Sequence, residues 1–191
     1  MNEAFLASVA VVALAEIGDK TMLLAIVLAA RLRAPWQILA GIFAATVVNH
    51  GLSALAGREI AGLVDAQWFQ IAVALGFIAM AAWTLIPDKF DDDENAIKHR
   101  GGPFLTTLVA FFLVEIGDKT QIATIALGAQ YQSVIAVALG TTVGMMIANT
   151  PAVFLGEAIV QRVSLRLTRI LAAIIFLVLG LVQLARALGF I

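Results

Sequence analysis

The sequence contains no cysteine, which excludes disulfides, thiolate metal sites and cysteine nucleophiles and leaves the redox compartment open. Charge is also scarce. Asp, Glu, Lys and Arg make up 13% of the 191 residues, where a soluble domain carries about 25%. With 12 basic and 13 acidic side chains the net charge is −1, so the basic footprint that nucleic acid demands is missing. What is abundant is apolar: 62% of residues are hydrophobic and the mean hydropathy is +1.00. One globular core of this size cannot hide so much apolar surface and still keep polar cover outside. Lipid is therefore the solvent over most of the chain.

Apolar runs of about 20 residues predict six membrane helices, at 4–30, 36–57, 68–86, 103–129, 133–156 and 169–190. The first carries Glu3 in place of a basic leader and shows no processing site, so it reads as a span and not as a cleavable signal. The chain divides into a three-helix unit at 1–86, an acidic linker at 87–102 and a second three-helix unit at 103–191. A shift of 99 residues lays Glu16-Ile17-Gly18-Asp19-Lys20-Thr21 on the identical Glu115-Ile116-Gly117-Asp118-Lys119-Thr120. The same shift matches Gly41 to Gly140 and Gly57 to Gly156, and sets His50 against Asn149. A unit of three spans is odd, so its second copy enters the membrane from the other face. The expected fold is an all-α integral membrane protein of six helices in two inverted-topology repeats, an arrangement that places substrate near the midplane.

Basic residues orient it. Arg31, Arg33, Lys89, Lys98, Arg100, Arg162, Arg166 and Arg169 collect on one side, and only Arg58 and Arg186 on the other. By the positive-inside rule the central linker is cytoplasmic, both termini are outside, and the membrane is the cell's inner (plasma) membrane. The linker run Asp88 to Glu94 fails the EF-hand pattern and reads as solvated chain. Segments 58–66 and 157–168 read as interfacial helices.

Six charges remain inside the spans: Glu16, Asp19, Lys20, Glu115, Asp118 and Lys119. A charge near the bilayer centre costs about 2.5–3.5 kcal/mol on insertion scales, and such residues mark ion paths. On uninterrupted helices Glu16, Asp19 and Lys20 share one stripe, as do Glu115, Asp118 and Lys119. Ion pairs four residues apart explain Glu16–Lys20 and Glu115–Lys119 but leave both aspartates over. Two facing stripes hold four carboxylates and two ammonium groups, a formal charge of −2 that one divalent cation or two protons neutralise. That equality is the basis of an exchanger, and hard or borderline cations such as calcium and manganese suit oxygen ligands.

These motifs resemble those of a known family. Two copies of E-x-G-D-K-[S/T], one opening each half, mark the cation/proton exchangers that include Golgi calcium/manganese transporters and bacterial manganese exporters. The resemblance covers essentially the whole chain and looks closest to the short manganese exporters. It implies cation transport by Glu16, Asp19, Glu115 and Asp118 as both metal ligands and proton carriers, with Mn2+ or Ca2+ as substrate and no bound cofactor.

Other polar positions support this centre. Gly18 and Gly117 admit close packing or an ion, and Thr21 and Thr120 are expected to bond back to their own helix. Met22 and Gln121 occupy equivalent places, so a thioether at Met22 biases the site against calcium unless it only fills the core. His50, with Asn49 and Asn149 for company, either carries a proton or makes a helix–helix hydrogen bond. Pro151 kinks the fifth span. Competing functions are weaker. An intramembrane aspartyl protease has no use for the extra glutamates and lysines, and an organic-cation exporter lacks an aromatic cage. A passive channel differs from an exchanger only in whether a proton gradient drives metal uphill.

Overall fold

The computed structural model describes residues 2–63, 66–86, 101–156 and 164–190. The acidic run Asp88–Glu94, most of the linker, and the basic residues Lys89, Lys98, Arg100 and Arg162 lie outside them. Every regular element among the described residues is helical: α1 Asn2–Glu16, α2 Lys20–Leu32, α3 Pro35–Leu63, α4 Ala66–Thr84, α5 Gly102–Glu115, α6 Lys119–Tyr131, α7 Val134–Leu155 and α8 Leu165–Ala187. Four of these are long and apolar enough to cross a membrane, at Pro35–Leu63, Gln67–Thr84, Val134–Leu155 and Leu165–Ala187. Large apolar side chains such as Leu6, Phe43, Leu52, Leu139 and Leu181 stay exposed, as they do on proteins whose surroundings are lipid.

Two of the expected helices are broken. The spans read over 4–30 and 103–129 each divide inside the motif, because Gly18 and Gly117 take φ of +86° and +78°. That conformation costs a side-chain-bearing residue about 1–2 kcal/mol, whereas glycine adopts it freely. Asp19 and Asp118 then run extended and stand at the N-caps of α2 and α6. The stripe geometry expected of continuous helices is therefore wrong, and the alternative of helical ion pairs four residues apart loses its geometry as well. A third correction concerns 58–66: its described residues continue α3 as far as Leu63 and enter α4 at Ala66, so among them no separate interfacial helix stands. Of the matching segment, 157–163 lies outside the described residues, and from Leu165 onward the chain is already α8.

The two halves interlock. Gly41 on α3 meets Phe104 O and Thr107 on α5, and its counterpart Gly140 on α7 meets Phe5 O and Ser8 on α1. Each long helix thus packs against the first helix of the other half. A second close approach joins α3 to α6, where Gly57 faces the Ile125 carbonyl and Gly128 faces the Ala54 carbonyl. The helices α4 and α8 run together with Phe77 stacked on Phe176 at 6.3 Å between ring centroids, and Gly180 admits Ile78 and the Ala74 carbonyl. Both apolar cores mix the halves. One joins Val12, Met22, Leu24, Ile38 and Ile42 to Phe111 and Met145; the other joins Ala54 and Phe77 to Leu127, Val137 and Phe176.

Candidate metal centre

Each motif contains both a helix stop and a helix start. The chain leaves α1 at Glu16, turns through Ile17 and Gly18, and closes the turn with the Asp19 amide donating to the Glu16 carbonyl at 3.0 Å. The second copy does the same, Asp118 N donating to Glu115 O at 3.1 Å. Such breaks leave the negative C-terminal dipole ends of α1 and α5 beside their own glutamates. Half-helices that end within a membrane protein's core in this way are suited to holding ions.

The breaks bring the two motifs together. Glu16, Asp19 and Asp118 each offer one carboxylate oxygen, and the three oxygens lie within 4.8 Å of one another. All three residues are buried, Glu16 completely. Glu16 Oε1 and Asp19 Oδ2 are buried without a hydrogen-bond partner among the described residues, and so are Glu115 Oε1 and Asn149 Oδ1. Orphaned buried carboxylate oxygens are costly in protein and membrane interiors alike, and either a proton or a cation would satisfy them. Glu115 sits beside this trio. Its Oε2 faces His50 Nε2 at 3.4 Å and accepts from the Thr120 hydroxyl at 3.3 Å. Thr120 Oγ1 is also 3.3 Å from Asp118 Oδ2, so one hydroxyl bridges Glu115 to the carboxylate trio.

The threonines correct an expectation: Thr21 and Thr120 donate to carboxylates across the breaks and not back to their own helices. Thr21 donates to Glu16 Oε2, as Thr120 does to Glu115. Because the helix restarts at Lys20 and Lys119, each threonine sits in the first turn of the new helix and reaches back across the break. The lysines also depart from the expected symmetry. Lys20 Nζ lies 3.3 Å from Asp118 Oδ1, across the halves and not within its own motif. Lys119 donates to the Ile86 carbonyl at 3.2 Å and lies over the Trp83 ring at 5.9 Å. The formal −2 counted both ammonium groups at the carboxylates; with Lys119 drawn to the end of α4, four carboxylates and one ammonium leave −3.

Gln121 is engaged on both ends of its amide. Its Oε1 accepts from the Gly117 amide at 2.6 Å and its Nε2 donates to Asn49 Oδ1 at 2.6 Å. It caps the second break and ties it to α3. Met22, its counterpart, is buried in the apolar core. His50 is fully buried on α3 against Glu115, and Asn149 donates to the carbonyl and sulfur of Met145, one turn back. Pro151 lies within α7, four residues before its end. Sequence reasoning missed the residues that back the first break. Leu165 closes over Gly18, and Thr168 donates to the Ile17 carbonyl at 3.4 Å. No local pattern marks them, since both come from the start of α8.

Comparison with known proteins follows the same outline. The sequence profile of the divalent cation/proton antiporter GDT1 family matches residues 4–92 and 103–189. The "Putative manganese exporter" of Vibrio cholerae is 47% identical over 175 residues, 91% of this chain and 86% of that protein. GDT1-like protein 5 of Arabidopsis thaliana is 29% identical over 217 residues, 94% of each chain. A GDT1-like protein of Synechocystis is 28% identical over 202 residues, 96% of this chain and 97% of its own. No solved structure gives a significant match. With the family profile matched across both halves, this multi-pass membrane protein belongs to the GDT1 family of divalent cation/proton antiporters.

Proposed function

We propose that the chain exports divalent cations, manganese in preference to calcium, in exchange for protons entering across the plasma membrane. The observation that carries this is the buried cluster of Glu16, Asp19 and Asp118, drawn from both motifs, in which Glu16 Oε1 and Asp19 Oδ2 have no hydrogen-bond partner among the described residues. Oxygen donors of this kind suit a hard or borderline divalent ion. The same oxygens accept protons, so ion and protons compete for one site. The name of the Vibrio cholerae relative supports manganese.

Glu16, Asp19 and Asp118 hold the ion in this proposal. Glu115, with His50 and Thr120, stands next to it as a further ligand or proton carrier. Gln121 and Asn49 fix the second break. Six spans in two inverted repeats remain the topology we infer, with α1–α2 and α5–α6 each making one broken span. Supporting this, the breaks, caps and glycine contacts recur 99 residues apart, at Gly18 and Gly117, Asp19 and Asp118, Arg33 and Gln132, Gly41 and Gly140. The pair α4–α8 packs on α1 and α6 and makes little contact with α2 and α5. With the termini outside, α1 and α6 form the outer half of the bundle. Among the described residues the pair thus sits on the outer half-helices, and in this proposal alternating access has the pair rock between these and α2 and α5.

Reconstitution into proteoliposomes with an imposed pH gradient tests the proposal. Mn2+ should move uphill against the proton gradient, faster than Ca2+ at equal concentration. Glu16→Gln and Glu115→Gln should each reduce metal-driven proton movement at least a hundredfold while the protein remains monodisperse in detergent. Normal exchange in either variant would overturn the mechanism, and downhill metal flux indifferent to the proton gradient would make the protein a channel.

A further inference from the structure

The motifs are identical in sequence, yet their lysines are used differently. Lys20, the first residue of α2, reaches across to the other half and places its ammonium 3.3 Å from Asp118 Oδ1. Lys119 is held instead at the Ile86 carbonyl and the Trp83 face. Lys20 is thereby ion-paired to a member of the Glu16–Asp19–Asp118 trio. Asp118 is well placed to be shared, because Oδ1 meets Lys20 while Oδ2 takes the Thr120 hydroxyl. The Lys20 side chain is 22% exposed, so its ammonium has somewhere to go when it leaves.

We propose that Lys20 is a tethered counter-cation that occupies Asp118 in the metal-free protein and is displaced when the divalent ion binds. The proposal rests on Asp118 being a ligand of the transported ion. A buried carboxylate cluster needs positive charge at every stage of a transport cycle. A resident ammonium supplies it when the ion is gone, and its return to Asp118 helps expel the ion. Lys20 therefore weakens metal binding and speeds release. It determines how tightly a divalent ion is held, and its motif twin Lys119 does not.

Binding of Mn2+ alone to the purified protein in lipid nanodiscs, read from the paramagnetic signal of the free ion at constant pH, tests this. Lys20→Gln should bind Mn2+ about tenfold more tightly than the parent and turn over more slowly in proteoliposomes. Lys20→Arg should restore most of the parental affinity, and Lys119→Gln should shift it far less than Lys20→Gln. A second measurement needs no variant: acylation of Lys20 by an amine-reactive reagent, followed by peptide mass spectrometry, should rise when the parent protein is saturated with Mn2+. Weaker or unchanged binding in Lys20→Gln would overturn the proposal, as would Lys20 acylation that falls or stays constant with Mn2+. Asp118→Asn separates the two layers. Undiminished Mn2+ binding in that variant refutes the underlying site, whereas binding that needs Asp118 but ignores Lys20 refutes only the counter-cation.

Discussion

Gly18 and Gly117 show how one residue type decides the geometry of the centre. Both have positive φ, but their surroundings differ. A Cβ on Gly18 would come within 2.6 Å of Leu165 Cδ2, while one on Gly117 would meet nothing within 4 Å among the described residues. Gly117→Ala should therefore cost only the backbone term, about 1–2 kcal/mol. Gly18→Ala should cost more, and adding Leu165→Ala should recover the excess but not the backbone part. Thermal unfolding in one detergent, compared across the three variants, checks the order. Equal losses for the two glycines would show that Leu165 yields without cost. The signals for this break are present in the motif itself, since glycine closes helices and aspartate opens them. They are hidden by the apolar residues on both sides, which continue the hydrophobic run as if a single helix passed through.

At the level of elements, the interlocking of α3 with α5 and α6 depends on absent side chains. Gly57 and Gly128 bring two backbones together, each glycine over a carbonyl of the opposite helix. Small residues allow such approach in membranes, where packing and not water expulsion drives association. Gly57→Val and Gly128→Val should each destabilise by about 1–3 kcal/mol through overpacking. Gly51→Ala, which meets nothing within 4 Å, should leave the melting temperature unchanged or slightly raised. Melting curves of the purified variants separate these outcomes, and a Gly57→Val protein as stable as the parent would mean that α3 and α6 are not held at this distance. The repeat relates Gly57 to Gly156, but among the described residues a Cβ on Gly156 meets no neighbour within 4 Å.

Over the whole molecule, the absence of cysteine makes the topology open to a direct test. Arg33 and Gln132 occupy equivalent places in the two halves, both exposed, both in the left-handed region at the ends of α2 and α6. Inverted repeats put them on opposite membrane faces. In intact cells, a membrane-impermeant thiol reagent should label Gln132→Cys and spare Arg33→Cys, and inside-out vesicles should reverse the pattern. Labelling of both from one side would exclude the inverted arrangement. The positive-inside rule gave the direction for this expectation, because Arg31 and Arg33 mark one face. The packing of α4–α8 on α1 and α6 could not be anticipated, since the two halves offer that pair nearly equivalent helix sets.

The sequence by itself determined the solvent, the helical class, the family and the identity of the six charges inside the apolar runs. Each follows from composition or from a short motif, and charges left in apolar runs are too costly to be incidental. Only the tertiary structure decided how those charges are shared. It broke two helices so that carboxylates from distant halves meet, turned both threonines toward their glutamates, and placed His50 on Glu115. It also assigned one lysine to an aspartate of the opposite half and the other to a backbone carbonyl. The physical reason is that a repeat fixes residue types in both copies alike. The environment of each copy is set by contacts with the rest of the chain, and in a single conformation those contacts are not the same.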